Sequence, residues 1–126
     1  MKPTTADIAA LKTLASCISR RSAAVVAASV FALWELKAET EGEFLRELSG
    51  DSPFAAETEA EIKMANTIVA FNGSVIEFYP DHRTNCQRYL DDLVSSTGGA
   101  AGSIGLVPAK ESSLLGAAVA VACSAA

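Results

Sequence analysis

"TIVAFNGSVIEFYP", Thr67 to Pro80, changes period in a chain otherwise dominated by helical spacing. Thr67 to Phe71 is a short run rich in β-branched residues, Asn72-Gly73 is a strong two-residue turn, and Ser74 to Tyr79 reads as a second strand. The stretch therefore predicts a β-hairpin. Pro80 suits the first position of a helix and Asp81 stands beside it. That helix would turn Cys86, Tyr89, Leu90, Leu93 and Val94 inward, leaving Asp81, Arg83, Asp91 and Asp92 as helix-end and surface charges.

Upstream, Thr4 or Thr5 can cap a helix, with Asp7 in its first turn to meet the helix dipole. Ile8, Leu11, Leu14, Ile18, Val25, Val26, Val30, Phe31 and Leu33 then recur at helical spacing. They predict one long helix, or two bent near residues 19–22, from about Asp7 to Leu36. Alanine and serine crowd residues 22–29 and permit close helix contacts. An acidic helical insertion follows at about 37–66, with short helices at Glu41–Leu48 and Glu57–Lys63 and a break at Ser49–Pro53.

Downstream, Thr97 to Gly102 reads as a loop and Ser103 to Val107 as a buried strand. Ser112 or Ser113 caps a closing helix, whose Gly116 and Ala117 would pack on the sheet. The order is helix, insertion, hairpin, helix, strand, helix. The fold class is α/β, in a single domain spanning 1–126.

The 126 residues are half hydrophobic, which fits one globular domain. Only five Phe, two Tyr and one Trp are present, so small side chains must build the core. A net charge of −5 and the absence of a Lys/Arg stripe argue against nucleic acid and anionic membranes. Glutamates concentrated from Glu35 to Glu61 read as a solvated helical face, and their spacing supplies no metal site. Cys17, Cys86 and Cys123 are far apart, without a CxxC pair, as expected of buried thiols in a reducing, cytoplasmic compartment. The apolar runs 22–34 and 114–126 are shorter than the ~20 residues of a membrane span.

Three segments carry a resemblance. "CISRRSAAVVAASVFAL" (17–33), "IVAFNGSVIEFYP" (68–80) and "VPAKESSLLGAAVAVA" (107–122) resemble, in order, three C-terminal motifs of the hexokinase family, its fungal glucokinase-like members in particular. The resemblance implies the end of the ribonuclease H-like (actin-like ATPase) large lobe. It implies an adenosine site at Gly73, Ser74, Ser113 and Gly116, with Glu111 at the family's aspartate and Ala117-Ala118 at its paired alanines. Ser112 and Leu114 stand where the family has glycines that let backbone approach the nucleotide. The site is therefore degenerate, weak ATP or ADP binding being the most it implies. The family's D-x-G-G-T-N phosphate loop, its sugar-binding segments, its catalytic aspartate and its second phosphate loop are not in the sequence, and phosphoryl transfer needs such parts together.

His82 is the one histidine, and it shares a helix face with Cys86 and Tyr89. A Cys–His pair there is a candidate catalytic group; a first-turn histidine beside a buried cysteine is the plainer alternative. Three functions follow as expectations. The chain is a truncated hexokinase-like protein recruited to small-molecule binding or biosynthetic chemistry in an apolar or dimer cleft. Or it is a pseudokinase regulator that binds a protein partner. Or it is the C-terminal piece of an ATP-dependent hexose kinase. Partners expected of so small a sheet are a second copy, a longer hexokinase-like chain, or a hydrophobic small molecule.

Overall fold

The computed structural model describes residues 2–48 and 66–124. The break at 49–53 and the short helix at 57–63 fall outside these. The first element, α1 (Thr5–Leu48), runs 44 residues, about 66 Å at 1.5 Å per residue. Thr4 caps it. Its N–H and hydroxyl donate to the Asp7 carboxylate at 2.8 and 2.7 Å, and its Oγ1 accepts the Asp7 N–H at 3.3 Å.

The separate helix expected from residue 41 is instead the last part of α1. Glu, Lys, Ala and Leu all favour helix across the joint, and Lys37 pairs with Glu41 at 2.7 Å one turn later. Because residues 22–34 are extended as helix on both sides, α1 is by length and composition long and apolar enough to cross a membrane. Its central turns, however, carry another helix.

The hairpin is corrected. Strand β1 (Thr67–Phe71) pairs in parallel with β2 (Ile104–Pro108), from Thr67 opposite Ile104 to Phe71 opposite Pro108. Residues 74–78 form a short helix, α2 (Ser74–Phe78). A type I′ turn needs left-handed angles at both central residues, whereas Gly73 is at φ 145°, ψ 143°. Its N–H donates to the Glu77 carboxylate at 3.1 Å and its carbonyl accepts the Glu77 N–H at 3.0 Å, which closes a helical turn.

Helix α3 (His82–Ser96) follows, then β2 and the last helix, α4 (Ser112–Ser124). His82, Cys86, Leu90 and Val94 recur every four residues along α3 and are all buried. They meet Ala23 and Ala27 of α1, both fully covered, with Val30, Phe31 and Trp34 beside them. Two alanines one turn apart let the helix axes approach closely. Phe71, Ile104 and Leu106 complete the core from one face of the sheet. Ile68 and Val107 lie on the other face, 70% and 45% exposed.

Side chains of α3 close the outer edge of β2. Gln87 Nε2 donates to the Ile104 carbonyl at 2.8 Å, Gln87 Oε1 accepts the Leu106 N–H at 3.2 Å, and Arg83 Nη2 donates to the Leu106 carbonyl at 3.1 Å. Asp91 Oδ1 accepts the Gly102 N–H at 3.0 Å. Arg83 and Asp91 are thus tied to the sheet and its loop, where the sequence suggested free surface charges. Helix α4 also differs from expectation. Leu114, Leu115, Val119 and Val121 are 60–71% exposed, and a Cβ on Gly116 would meet open space. Gly116 therefore does not pack on the sheet.

The end of α3 depends on glycine. Gly99 N–H donates to the Val94 carbonyl at 2.9 Å after Gly98 turns through φ 86°. A Cβ at Gly99 would stand 2.6 Å from Val94 Cγ1, a side chain that is itself buried. Gly99→Ala should therefore cost about 1–3 kcal/mol in urea unfolding. Gly42→Ala, inside α1 and clear of neighbours, should change stability in the opposite direction by about 0.5–1 kcal/mol.

Candidate functional site

The candidate residues named from the sequence fall in two places among the described residues. The first lies between α1 and α3. His82 is 3% exposed and Cys86 fully buried. Cys86 Sγ is 3.7 Å from His82 Nδ1 and donates to the Ala23 carbonyl at 3.5 Å, while His82 Nε2 is 3.3 Å from Ser22 Oγ. With the thiol proton on Ala23, the imidazole can carry its own proton on Nδ1, toward Sγ, and accept the Ser22 hydroxyl at Nε2. Every polar atom of the chain Ser22–His82–Cys86–Ala23 is then satisfied without water.

Burial pushes the Cys86 thiol above its ordinary range. A nucleophilic cysteine needs thiolate and access. This thiol is kept neutral and covered, so the pair joins two helices more readily than it attacks a substrate. Tyr89, the third residue placed on that face, packs partly buried against the core but shares no hydrogen bond with the pair. Hydrogen bonds first from the Arg20 and then from the Arg88 guanidinium hold its phenol below the usual range, and Arg88 also stands 5.1 Å from its ring centroid.

The second place is the C-terminal end of the two strands. In parallel α/β sheets ligands bind outside the carboxyl ends of the strands. Here the chain leaves β1 through Asn72-Gly73-Ser74 and leaves β2 through Ala109-Lys110-Glu111. The Ala109 N–H donates to the Phe71 carbonyl at 2.8 Å, and Asn72 Nδ2 donates to the Ala109 carbonyl at 3.2 Å. These bonds hold the turns side by side. Each contains a residue at positive φ: Gly73 at 145° and Glu111 at 57°. For glutamate that angle is uncommon and strained.

Gly73 and Ser74 thus stand together with the start of α4. Ser113 is in the first turn of α4 and Gly116 in its second. A Cβ on Gly73 would meet only Ile76 Cγ2, at 4.0 Å. Its backbone angle, not space, demands glycine. Leu114 is 71% exposed directly after Ser113. Among the described residues no three His, Cys, Asp or Glu side chains converge as metal ligands.

Sequence reasoning missed Glu111 as a strained position, Ser22 as the partner of His82, and the Arg20–Tyr89–Arg88 group. An arginine directly before a helical tyrosine, as Arg88 is before Tyr89, is no signal until the packing of α1 on α3 brings Arg20 near.

A parallel strand pair with crossover helices between its strands and two tethered turns at its C-terminal end is an α/β arrangement. The particular family is given by comparison: a family model described as hexokinase matches residues 1–123, and the chain belongs to the hexokinase family. Against curated proteins and solved structures it shows no significant match.

The burial pattern can be checked with thiol reagents. Cys17 and Cys123 are exposed and should react with a disulfide reagent at once in the native protein, Cys86 only at the rate of unfolding. Because the fold holds the Cys86 thiol neutral, its contribution is complete below the pKa of an unfolded thiol, about 8.5, and declines as pH rises through the higher folded value. Unfolding free energy should fall more steeply above that pH in the wild type than in Cys86→Ala. Equal slopes would mean that Cys86 titrates alike in both states.

Proposed function

We propose that these 126 residues supply the adenosine side of a hexokinase-type lobe, binding adenine nucleotide weakly and not phosphorylating a sugar unaided. The observation that carries this reading is the pair of tethered turns, 72–74 and 109–111, at the C-terminal end of parallel strands. The resemblance puts Gly73, Ser74, Ser113 and Gly116 beside adenosine. Contacts from backbone N–H groups there depend on the φ of Gly73 and not on side-chain chemistry. Leu114 stands in place of a glycine and obstructs the approach. Neither a phosphate loop nor a catalytic aspartate of the family type is in the sequence, so position and charge for phosphoryl transfer are lacking.

A second reading concerns partners, and a specific observation favours it. One face of the sheet, with Ile68 and Val107, and the apolar residues of α4 are uncovered. Parallel sheets are ordinarily buried on both faces. We propose that a second copy, or a longer hexokinase-like chain, covers them. Three free thiols suit a reducing, cytoplasmic setting.

Mg-ADP titrated against thermal unfolding tests the first reading. At ~100 times its Kd the ligand should stabilise by about 2.7 kcal/mol. Leu114→Gly should tighten binding and Gly73→Val abolish it, while a coupled assay with glucose and ATP stays at background. No saturable shift in either the wild type or Leu114→Gly would refute it. For the second, light scattering at micromolar concentration should give a species heavier than the 13.0 kDa chain; a monodisperse monomer would refute self-association.

A further inference from the structure

Between the first half of α1 and the start of α3 runs a groove of about 680 Å³, within the range of small-molecule sites. Lys12, Arg20 and Arg88 line it, with Asp81 as the one carboxylate, so an excess of positive charge is concentrated there in a chain that carries −5 overall. None of the three cations makes an ion pair among the described residues, the pair between Lys37 and Glu41 being elsewhere. Arg88 stands 5.1 Å from the Tyr89 ring centroid, and the groove places Arg20 across from it on α1. Two guanidinium groups lining one groove repel each other, and a bound anion would relieve that repulsion.

Neutral donors complete the set. Ser16, Ser19, Thr84 and Asn85 line the same groove. The Ser19 hydroxyl oxygen is buried without a hydrogen-bond partner, and such a group calls for one. Two planar forks, one ammonium and several hydroxyls outnumber what a single carboxylate accepts and match the three oxygens of a phosphate monoester. The groove is much larger than phosphate itself, which leaves room for an attached organic group.

We propose that this groove binds a small phosphate monoester, its phosphate held by Lys12, Arg20 and Arg88. The site is separate from the turns at the strand ends, so it does not rest on nucleotide binding there. Its chemistry also selects against polyanions: a single short groove on an acidic chain suits a small ligand, not nucleic acid.

Calorimetric titration of the full chain with inorganic phosphate and with glycerol phosphate, at constant ionic strength and with glycerol and chloride as blanks, tests this. Both phosphates should bind saturably, the monoester more tightly. Arg20→Gln and Arg88→Gln should each weaken binding about tenfold, whereas Arg21→Gln, the neighbouring cation outside the groove, should change it less than about twofold. Melting temperatures of the free variants check that they fold. Phosphate binding should persist in Gly73→Val, where nucleotide binding at the turns would be lost. Absence of saturable binding, or equal loss in Arg20→Gln and Arg21→Gln, would overturn the proposal. So would self-association of the wild type that Arg88→Gln abolishes without any phosphate effect, since that would assign the groove to an acidic segment of a second copy.

Discussion

Helix α3 lies on α1 through Ala23 and Ala27, and the rest of the molecule is arranged from that contact. At 0% exposure neither alanine leaves room for a larger residue, and interiors this tight respond to single methylene changes. The stripe that meets them, His82, Cys86, Leu90 and Val94, contains two polar groups. Burying those without partners would cost about 1–3 kcal/mol each. The chain from Ser22 through His82 and Cys86 to the Ala23 carbonyl removes that cost with groups already on the two helices.

The other faces of α3 follow from the first. With residues 82, 86, 90 and 94 committed to α1, positions 83, 87 and 91 turn toward β2, and 84, 85 and 88 toward the groove. Arg83 and Gln87 then satisfy the strand edge that a further strand would otherwise occupy. Arg88 reaches the groove from α3 as Arg20 does from α1. One helix therefore orders the core, the sheet and the cation cluster together.

Local signals in the sequence served well where structure is local. The Thr4–Asp7 cap, the alanine-rich contact surface, the helix after Pro80 and the strand at 104–108 could all be read from spacing and residue type. The hairpin could not. Val75 and Ile76 favour a strand and Asn-Gly favours a turn, but the partner of β1 comes 37 residues after the start of that strand, and no window of sequence contains both. The exposure of α4 was equally illegible, because an alanine- and valine-rich helix looks the same whether covered or bare. At the sites, i and i+4 spacing placed His82 by Cys86, while Ser22, Arg20 and the strained Glu111 acquire meaning only from tertiary neighbours.

The closed edge of β2 also decides where this small sheet can grow. Its outer N–H and C=O groups at 104–106 are already bonded to α3, so a strand added there would first have to displace charge-assisted and amide hydrogen bonds. Among the described residues, no α3 side chain bonds the outer edge of β1. On that side lies Ile68, 70% exposed on the uncovered face. The covering chain proposed above would therefore gain by approaching from β1, where it could take up strand hydrogen bonds and apolar surface in one step. That approach is on the sheet's far side from Gln87 and Arg83, and it leaves the contact between α1 and α3 undisturbed. The proposed association and the integrity of the α1–α3 core would in this way be separable.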